Sequence, residues 1–247
     1  MKVLAKRLPG SGKSNWLDAM AVNLFKQHGW SFCFYSPENW PVPRHAASIM
    51  EKVIERPFAA SQCDVGRMAQ EDMEYALVCM EGAFNFIMLG HDDLSLGNTL
   101  AKVRAAIFRH GVKGGVIDPW NGIERRPAGL SETEYISQAL SKVRRFARVN
   151  DVHVWIVAHP TKLQKDKYNG EYPVPTLYDI SGSAHWYNKA DNGITVYRHT
   201  KKDLTDIYVG KIRFREVGQR GMATLAYCRD VGTYREKPFT PMRGEHP

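Results

Sequence analysis

Short apolar runs alternate along the chain with stretches in which apolar residues recur every three or four positions. That alternation predicts an α/β fold, a mostly parallel twisted sheet with helices on both faces. A first strand is expected at residues 3–5, leading into Leu8-Pro9-Gly10-Ser11-Gly12-Lys13-Ser14. Trp16, Leu17, Met20, Ala21, Leu24 and Phe25 then follow at helical spacing until Gly29 supplies a stop. Further strands are expected over 30–36, 84–89 and 152–158, and helices over 43–54, 68–80 and 96–110. After Gly114-Gly115 an apolar strand delivers Asp118 at its carboxyl end. Ser131-Glu132-Thr133-Glu134 has the form of a capping box and opens another helix. Residues 193–198, 206–215 and 222–228 alternate in the manner of adjacent antiparallel strands. One domain is expected over 1–228, with a poorly ordered tail over 229–247.

Composition narrows the class. Of 247 residues 43% are hydrophobic and 24% charged, which excludes a disordered or fibrous chain. No apolar stretch nears the ~18 residues of a membrane span, and the start lacks a secretory signal, so a cytoplasmic chain with no membrane partner is expected. Cys33, Cys63, Cys79 and Cys228 are scattered without a C-x-x-C pair and read as reduced packing residues. The net charge of +8 makes a polyanion such as nucleic acid a reasonable partner without speaking to fold.

Chemistry enters at the glycine loop. Gly10, Gly12, Lys13 and Ser14 fit a phosphate-binding loop, because glycines let backbone N–H groups close around phosphate oxygens at a helix N-terminus. Lys13 would reach the β and γ phosphates of ATP and Ser14 would hold Mg²⁺; the pattern calls for a glycine where Arg7 stands. Asp118 ends an apolar strand, the place for a Mg²⁺-organising carboxylate, since carboxyl ends of parallel strands share one crevice. Glu38 and His159 also sit just past strand ends, where a carboxylate can orient water and an imidazole can sense the γ phosphate. Spacing alone favours a surface role for both, and a packing role for His153. Lysines and arginines crowd three loops: Arg125 and Arg126; Lys162, Lys165 and Lys167; Lys201 and Lys202.

Taken in order, residues 9–14, Phe34-Tyr35-Ser36-Pro37-Glu38-Asn39, Val116-Ile117-Asp118-Pro119-Trp120-Asn121, Val157-Ala158-His159-Pro160-Thr161-Lys162 and Ile180-Ser181-Gly182-Ser183-Ala184 resemble the RecA-like motor domain of DnaB-like replicative helicases. The resemblance is nearest to Twinkle and the phage primase-helicases. It implies a hexameric ring that hydrolyses ATP with Mg²⁺, moves along single-stranded DNA and unwinds duplex. Residue by residue it implies a nucleotide-binding segment of Pro9, Gly10, Ser11, Gly12, Lys13, Ser14 and Asn15, a catalytic base at Glu38, a metal ligand at Asp118 and a phosphate sensor at His159. It further implies an arginine finger to the neighbouring subunit at Arg213, a second arginine near that interface at Arg198 and a base-stacking ring at Tyr227. The three basic loops would line the DNA channel, with salt-dependent binding that ignores base sequence.

The resemblance does not extend to a primase domain or to a linker helix ahead of the first strand, so the chain reads as a motor domain alone or a piece of a longer helicase. Two other readings of the residues stay open: a RecA-like recombination or regulatory ATPase without unwinding, and a non-catalytic nucleic-acid-binding module whose phosphate loop is disabled by Arg7. A small phosphotransferase kinase is weaker, for want of an acceptor pocket.

Overall fold

The computed structural model describes residues 1–6, 12–59, 66–90, 94–123, 129–161, 164, 173–180, 183–199 and 203–236. Nine strands form one sheet in the order β3-β2-β4-β5-β1-β6-β7-β8-β9. The strands are β1 (Lys2–Lys6), β2 (Phe32–Tyr35), β3 (Phe84–Phe86), β4 (Gly114–Ile117), β5 (His153–Val157), β6 (Asn192–Arg198), β7 (Leu204–Ile212), β8 (Gly221–Cys228) and β9 (Thr233–Glu236). From β3 to β6 all neighbours are parallel, and β7, β8 and β9 add on as antiparallel ribbons. The expected fold class is the observed one.

Among the described residues six α-helices cover the sheet: α1 (Lys13–His28), α2 (Val42–Ile54), α3 (Gln70–Met80), α4 (Leu96–His110), α5 (Glu132–Val149) and α6 (Ser183–Lys189). Strand alternation divides the core. Val3, Ile117 and Ile156 point to one face, where α4, α5 and α6 bury Leu100, Leu140, Val143 and Trp186. Leu4, Val116, Trp155 and Val157 point to the other, where α1, α2 and α3 bury Leu17, Ile49, Val53 and Ala76. Central strands buried on both sides read as continuous apolar runs, which is why they were visible in sequence. The capping box forms as expected, with Glu134 N–H donating to Ser131 Oγ at 3.2 Å and Ser131 N–H to Glu134 Oε2 at 2.9 Å. Among the described residues Cys33, Cys79 and Cys228 are free thiols.

Three boundaries differ from expectation. β3 stops at Phe86 because it is an edge strand and pairs only with β2, through Phe32, Cys33 and Phe34. β7 ends at Ile212, short of Arg213, and Arg215–Val217 turn into a 3-10 helix. Thr233–Glu236, expected in the tail, forms β9 and pairs with β8 from Leu225 to Cys228. This strand is four residues long and half exposed, so it carries little hydrophobic pattern.

Candidate active site

The order β2-β4-β5-β1 places four carboxyl ends side by side, and the five expected residues follow them. β1 leads to Lys13 and Ser14 at the start of α1, β2 to Glu38, β4 to Asp118 and β5 to His159. A cavity of about 410 Å³ opens there, lined by Lys13, Ser14, Asp18, Glu38, Arg44 and His45 among others.

At its floor the first turn of α1 starts from Gly12, whose φ of 75° lies in the left-handed region that glycine tolerates. Lys13 is only 4% exposed. Asp118 is equally deep; it accepts a hydrogen bond from the Ser14 hydroxyl, and its Oδ1 is buried with no hydrogen-bond partner among the described residues. Burial pushes the Asp118 carboxyl above its usual range, the Ser14 hydrogen bond and the Lys13 charge pull it back, and Asp18 and Glu38 push it further up. A buried carboxylate with an orphaned oxygen beside a serine hydroxyl fits a divalent cation, which prefers oxygen ligands. Among the described residues no cluster of three His, Cys, Asp or Glu could hold a metal alone, so phosphate oxygens and water would complete the shell.

On the wall, Glu38 sits in a 3-10 turn, Pro37–Asn39, with 57% of its side chain exposed. His159 Nε2 lies 3.8 Å from Glu38 Oε1, so sensor and base candidates face each other. His159 also lines a second cavity of about 700 Å³ with Trp120, Tyr135 and Trp186.

A third group closes on the phosphate loop from the antiparallel edge. Arg198 stacks over the Tyr227 ring at 4.2 Å, and a β-carbon at Gly12 would stand 3.9 Å from Arg198 Cδ. Tyr234 Oη donates to the Gly12 carbonyl at 3.3 Å, while Asn15 Nδ2 donates to Gly232 O at 2.8 Å and Tyr234 Oη at 3.2 Å. Burial pushes the Tyr234 phenol up to about 12. Arg198, Tyr227 and Asn15 therefore gather beside the loop.

Arg213 does not. β7 runs antiparallel to β6, and Asn192 pairs with Ile212, so Arg213 emerges at the opposite end of the sheet. Seven residues of β6 separate the two ends by about 20 Å at ~3.3 Å per residue. There Arg213 pairs through Nε with Asp191 Oδ1 at 2.9 Å and donates from Nη2 to the carbonyls of Asn188 at 2.7 Å and Ala190 at 3.3 Å. Pro9, Gly10 and Ser11 lie outside the described residues, as do Arg125, Arg126, Lys162, Lys165, Lys167, Lys201 and Lys202.

Sequence reasoning missed four groups at the crevice. Asp18 carried a signal, standing four residues beyond Ser14 on one helix face. His45 and Arg44, on the first turn of α2, carried none. Tyr234 was hidden in the expected tail.

No protein-family model matches the chain. It is 42% identical over 243 residues to "Twinkle homolog protein, chloroplastic/mitochondrial" of Arabidopsis thaliana, a match spanning 95% of this chain and 34% of that protein. The chain thus spans about a third of the length of this curated relative. In fold it is similar to a solved ATPase domain, with a TM-score of 0.76, 19% identity and coverage of 96% and 84% of the two chains. It is similar too to a structure of a DnaB-like replicative helicase studied with primase, at TM-score 0.76, 20% identity and 95% and 58% coverage. The chain is thus similar over nearly all its length to part of a Twinkle homologue and shares the α/β fold of a solved ATPase domain and of a DnaB-like replicative helicase, the fold that its motifs led us to expect.

Proposed function

We propose that this chain is the ATP-hydrolysing motor domain of a replicative DNA helicase, moving along single-stranded DNA and unwinding the duplex ahead as part of a hexameric ring. The observation that carries the reading is the approach, past four adjacent strand ends, of Asp118 to Ser14 and Lys13 and of His159 to Glu38. Lys13 and the loop N–H groups hold the β and γ phosphates of ATP. Glu38 orients the attacking water and takes its proton, and His159, facing Glu38, senses the γ phosphate. Ser14 and Asp118 would hold Mg²⁺, which when bound neutralises charge on the transferring phosphoryl group. Tyr227 stacks on the base, and Arg198, over its ring, is a second arginine near the subunit interface. Arg213 completes a neighbour's site, which its distance from its own crevice supports. The loops with Arg125 and Arg126, with Lys162, Lys165 and Lys167, and with Lys201 and Lys202 grip the DNA backbone. A cytoplasmic location stays a proposal beside the chloroplastic and mitochondrial one in the relative's name; no helix among the described residues is long and apolar enough to cross a membrane.

The test is ATP turnover with and without single-stranded DNA across protein concentration, beside strand displacement on a forked duplex. Turnover that rises steeply with concentration and DNA, with fork opening, is expected. Turnover without fork opening indicates a recombination or regulatory ATPase, and DNA binding that survives Lys13→Ala with no turnover at all indicates a non-catalytic module.

A further inference from the structure

Asp18 and His45 form a buried polar pair on the wall of the crevice. His45 Nε2 and Asp18 Oδ1 are 3.1 Å apart, and the residues are 5% and 4% exposed. A carboxylate this deep is costly unless a partner compensates it, so the pair is a constraint and not a surface accident. Asp18 lies one helical turn beyond Ser14 on α1, and His45 lies in the first turn of α2, seven residues after Glu38. The contact thus ties the helix that carries the phosphate loop to the segment that carries the proposed base.

The rest of that segment is weakly held. Trp40 is 63% exposed, Pro41, Pro43 and Arg44 are exposed, and the apolar anchors of α2, Ile49, Met50 and Val53, all lie in its second half. The imidazole itself is held edge-on against Phe34 and Phe86, with ring centroids 5.2 and 5.1 Å away. A ring wedged in this way presents its nitrogen to Asp18 in one direction, and a directional bond sets position where greasy contacts would let the turn slide.

We infer that Asp18 and His45 are positioning residues for the hydrolytic step: their bond holds the Pro37–Asn39 turn against α1 so that Glu38 faces the γ-phosphate end of the crevice. The inference rests on the reading of Glu38 as the base. It predicts that breaking the bond slows chemistry without loosening nucleotide, because Lys13 and the loop are untouched.

The experiment measures kcat and KM for ATP, with saturating single-stranded DNA, in His45→Ala, His45→Gln, Asp18→Asn, Glu38→Asp and the His45→Ala/Glu38→Asp double variant. His45→Ala is expected to lower kcat about 10- to 100-fold, as small misplacements of reacting groups do, with KM within about twofold of the parent. His45→Gln, which restores a donor, is expected to recover part of that loss, and the double variant to fall no lower than the slower single one. Asp18→Asn keeps the side-chain volume, replaces the carboxylate by a weaker amide acceptor and carries the test should His45→Ala fail to fold; its kcat is expected to drop, by less than in His45→Ala, with KM unmoved. Loss of binding and turnover together, unchanged kcat in Asp18→Asn, or multiplicative losses in the double variant overturn the positioning role alone. Parent-like kcat in Glu38→Asp overturns the reading of Glu38 and the inference with it.

Discussion

The two ends of the sheet are built on different principles. At the carboxyl end, acids and a lysine converge around an unmet group: Asp118 has an orphaned oxygen, Lys13 is buried beside it, and Glu38 stands half in water. At the amino end, charges and rings sit against one another, although Asp191 Oδ1 and Arg213 Nε are ion-paired without a hydrogen bond of good geometry among the described residues. Asp191 takes both Arg144, at 3.4 Å, and Arg213, at 2.9 Å, while His153 packs against Trp30 and Trp155 with ring centroids 4.9 and 5.6 Å away. Asp118 stands where a divalent cation would complete its shell, whereas the Asp191 cluster pairs charges of the fold itself. Arg213 makes the contrast useful, since its proposed work is at the end where its charge is already paired.

The largest expected effects lie at the carboxyl end. Lys13→Ala abolishes ATP binding and turnover, and Glu38→Gln lowers kcat by about 10² to 10⁴ while nucleotide still binds; a fluorescent nucleotide titration beside a phosphate-release assay separates the two. Both variants are expected to melt within a few degrees of the parent, because neither group completes the fold. A large fall in melting temperature for Glu38→Gln would break the contrast between the ends.

Arg213→Ala decides whether the amino end is only architecture. As a finger serving a neighbour it is expected to cost about 10³-fold or more in DNA-stimulated turnover with nucleotide affinity retained. Mixing Arg213→Ala with Lys13→Ala protein then restores part of the activity, because one supplies a working nucleotide site and the other a working finger. Equal loss of binding, turnover and melting temperature instead makes Arg213 a pin that joins β7 to the end of α6 through Asp191.

Which of this could be read from the sequence follows from the same contrast. Residues at the carboxyl ends were legible because an apolar run followed at once by an acid, a histidine or a glycine-lysine pair is a local signature. Lys13, Ser14 and Asp118 each have one, whereas for Glu38 and His159 spacing alone favours a surface role and only the family resemblance marks them. Asp18 and His45 meet across 27 positions between two helices, and no local pattern records a pairing of that kind. Register decided the rest: the antiparallel turn from β6 into β7 sends Arg213 to the far end, and the hairpin from β8 into β9 brings Tyr234 back to Gly12. Neither follows from alternation alone, which fixes faces and not ends.

A smaller effect belongs to the hairpin that leans on the phosphate loop. Gly232 has a φ of 67°, and a β-carbon there would stand 2.6 Å from Asn15 Oδ1 and 2.9 Å from Lys52 Nζ. Gly232→Ala is therefore expected to cost about 1–3 kcal/mol of stability, measured by denaturant unfolding. It also displaces the hairpin, weakening nucleotide binding. Tyr234→Phe removes the bonds to Gly12 and Asn15 and keeps the ring, for about 1 kcal/mol. If Gly232→Ala destabilises the fold while nucleotide affinity holds, the hairpin is a brace for the sheet and not a wall of the site.

The smallest effect returns to the amino end. Burial holds the His153 imidazole down at about 4, helped by the charges of Lys2 and Lys113 and opposed by Asp151. A depressed imidazole pKa favours the neutral ring in the folded state. Its contribution is present above the unfolded value of about 6.5 and drains away as pH falls toward 4. Melting temperature is thus expected to fall between pH 6.5 and 4 more steeply in the parent than in His153→Gln, by a modest margin because the half-buried ring keeps an exposed edge at the start of β5. The difference between the two pH profiles cancels the carboxylates that titrate in both. Parallel profiles would mean that the Trp30–His153–Trp155 stack holds its ring whether or not it is charged, and the amino end would then owe its completeness to ion pairs such as Asp191 with Arg213.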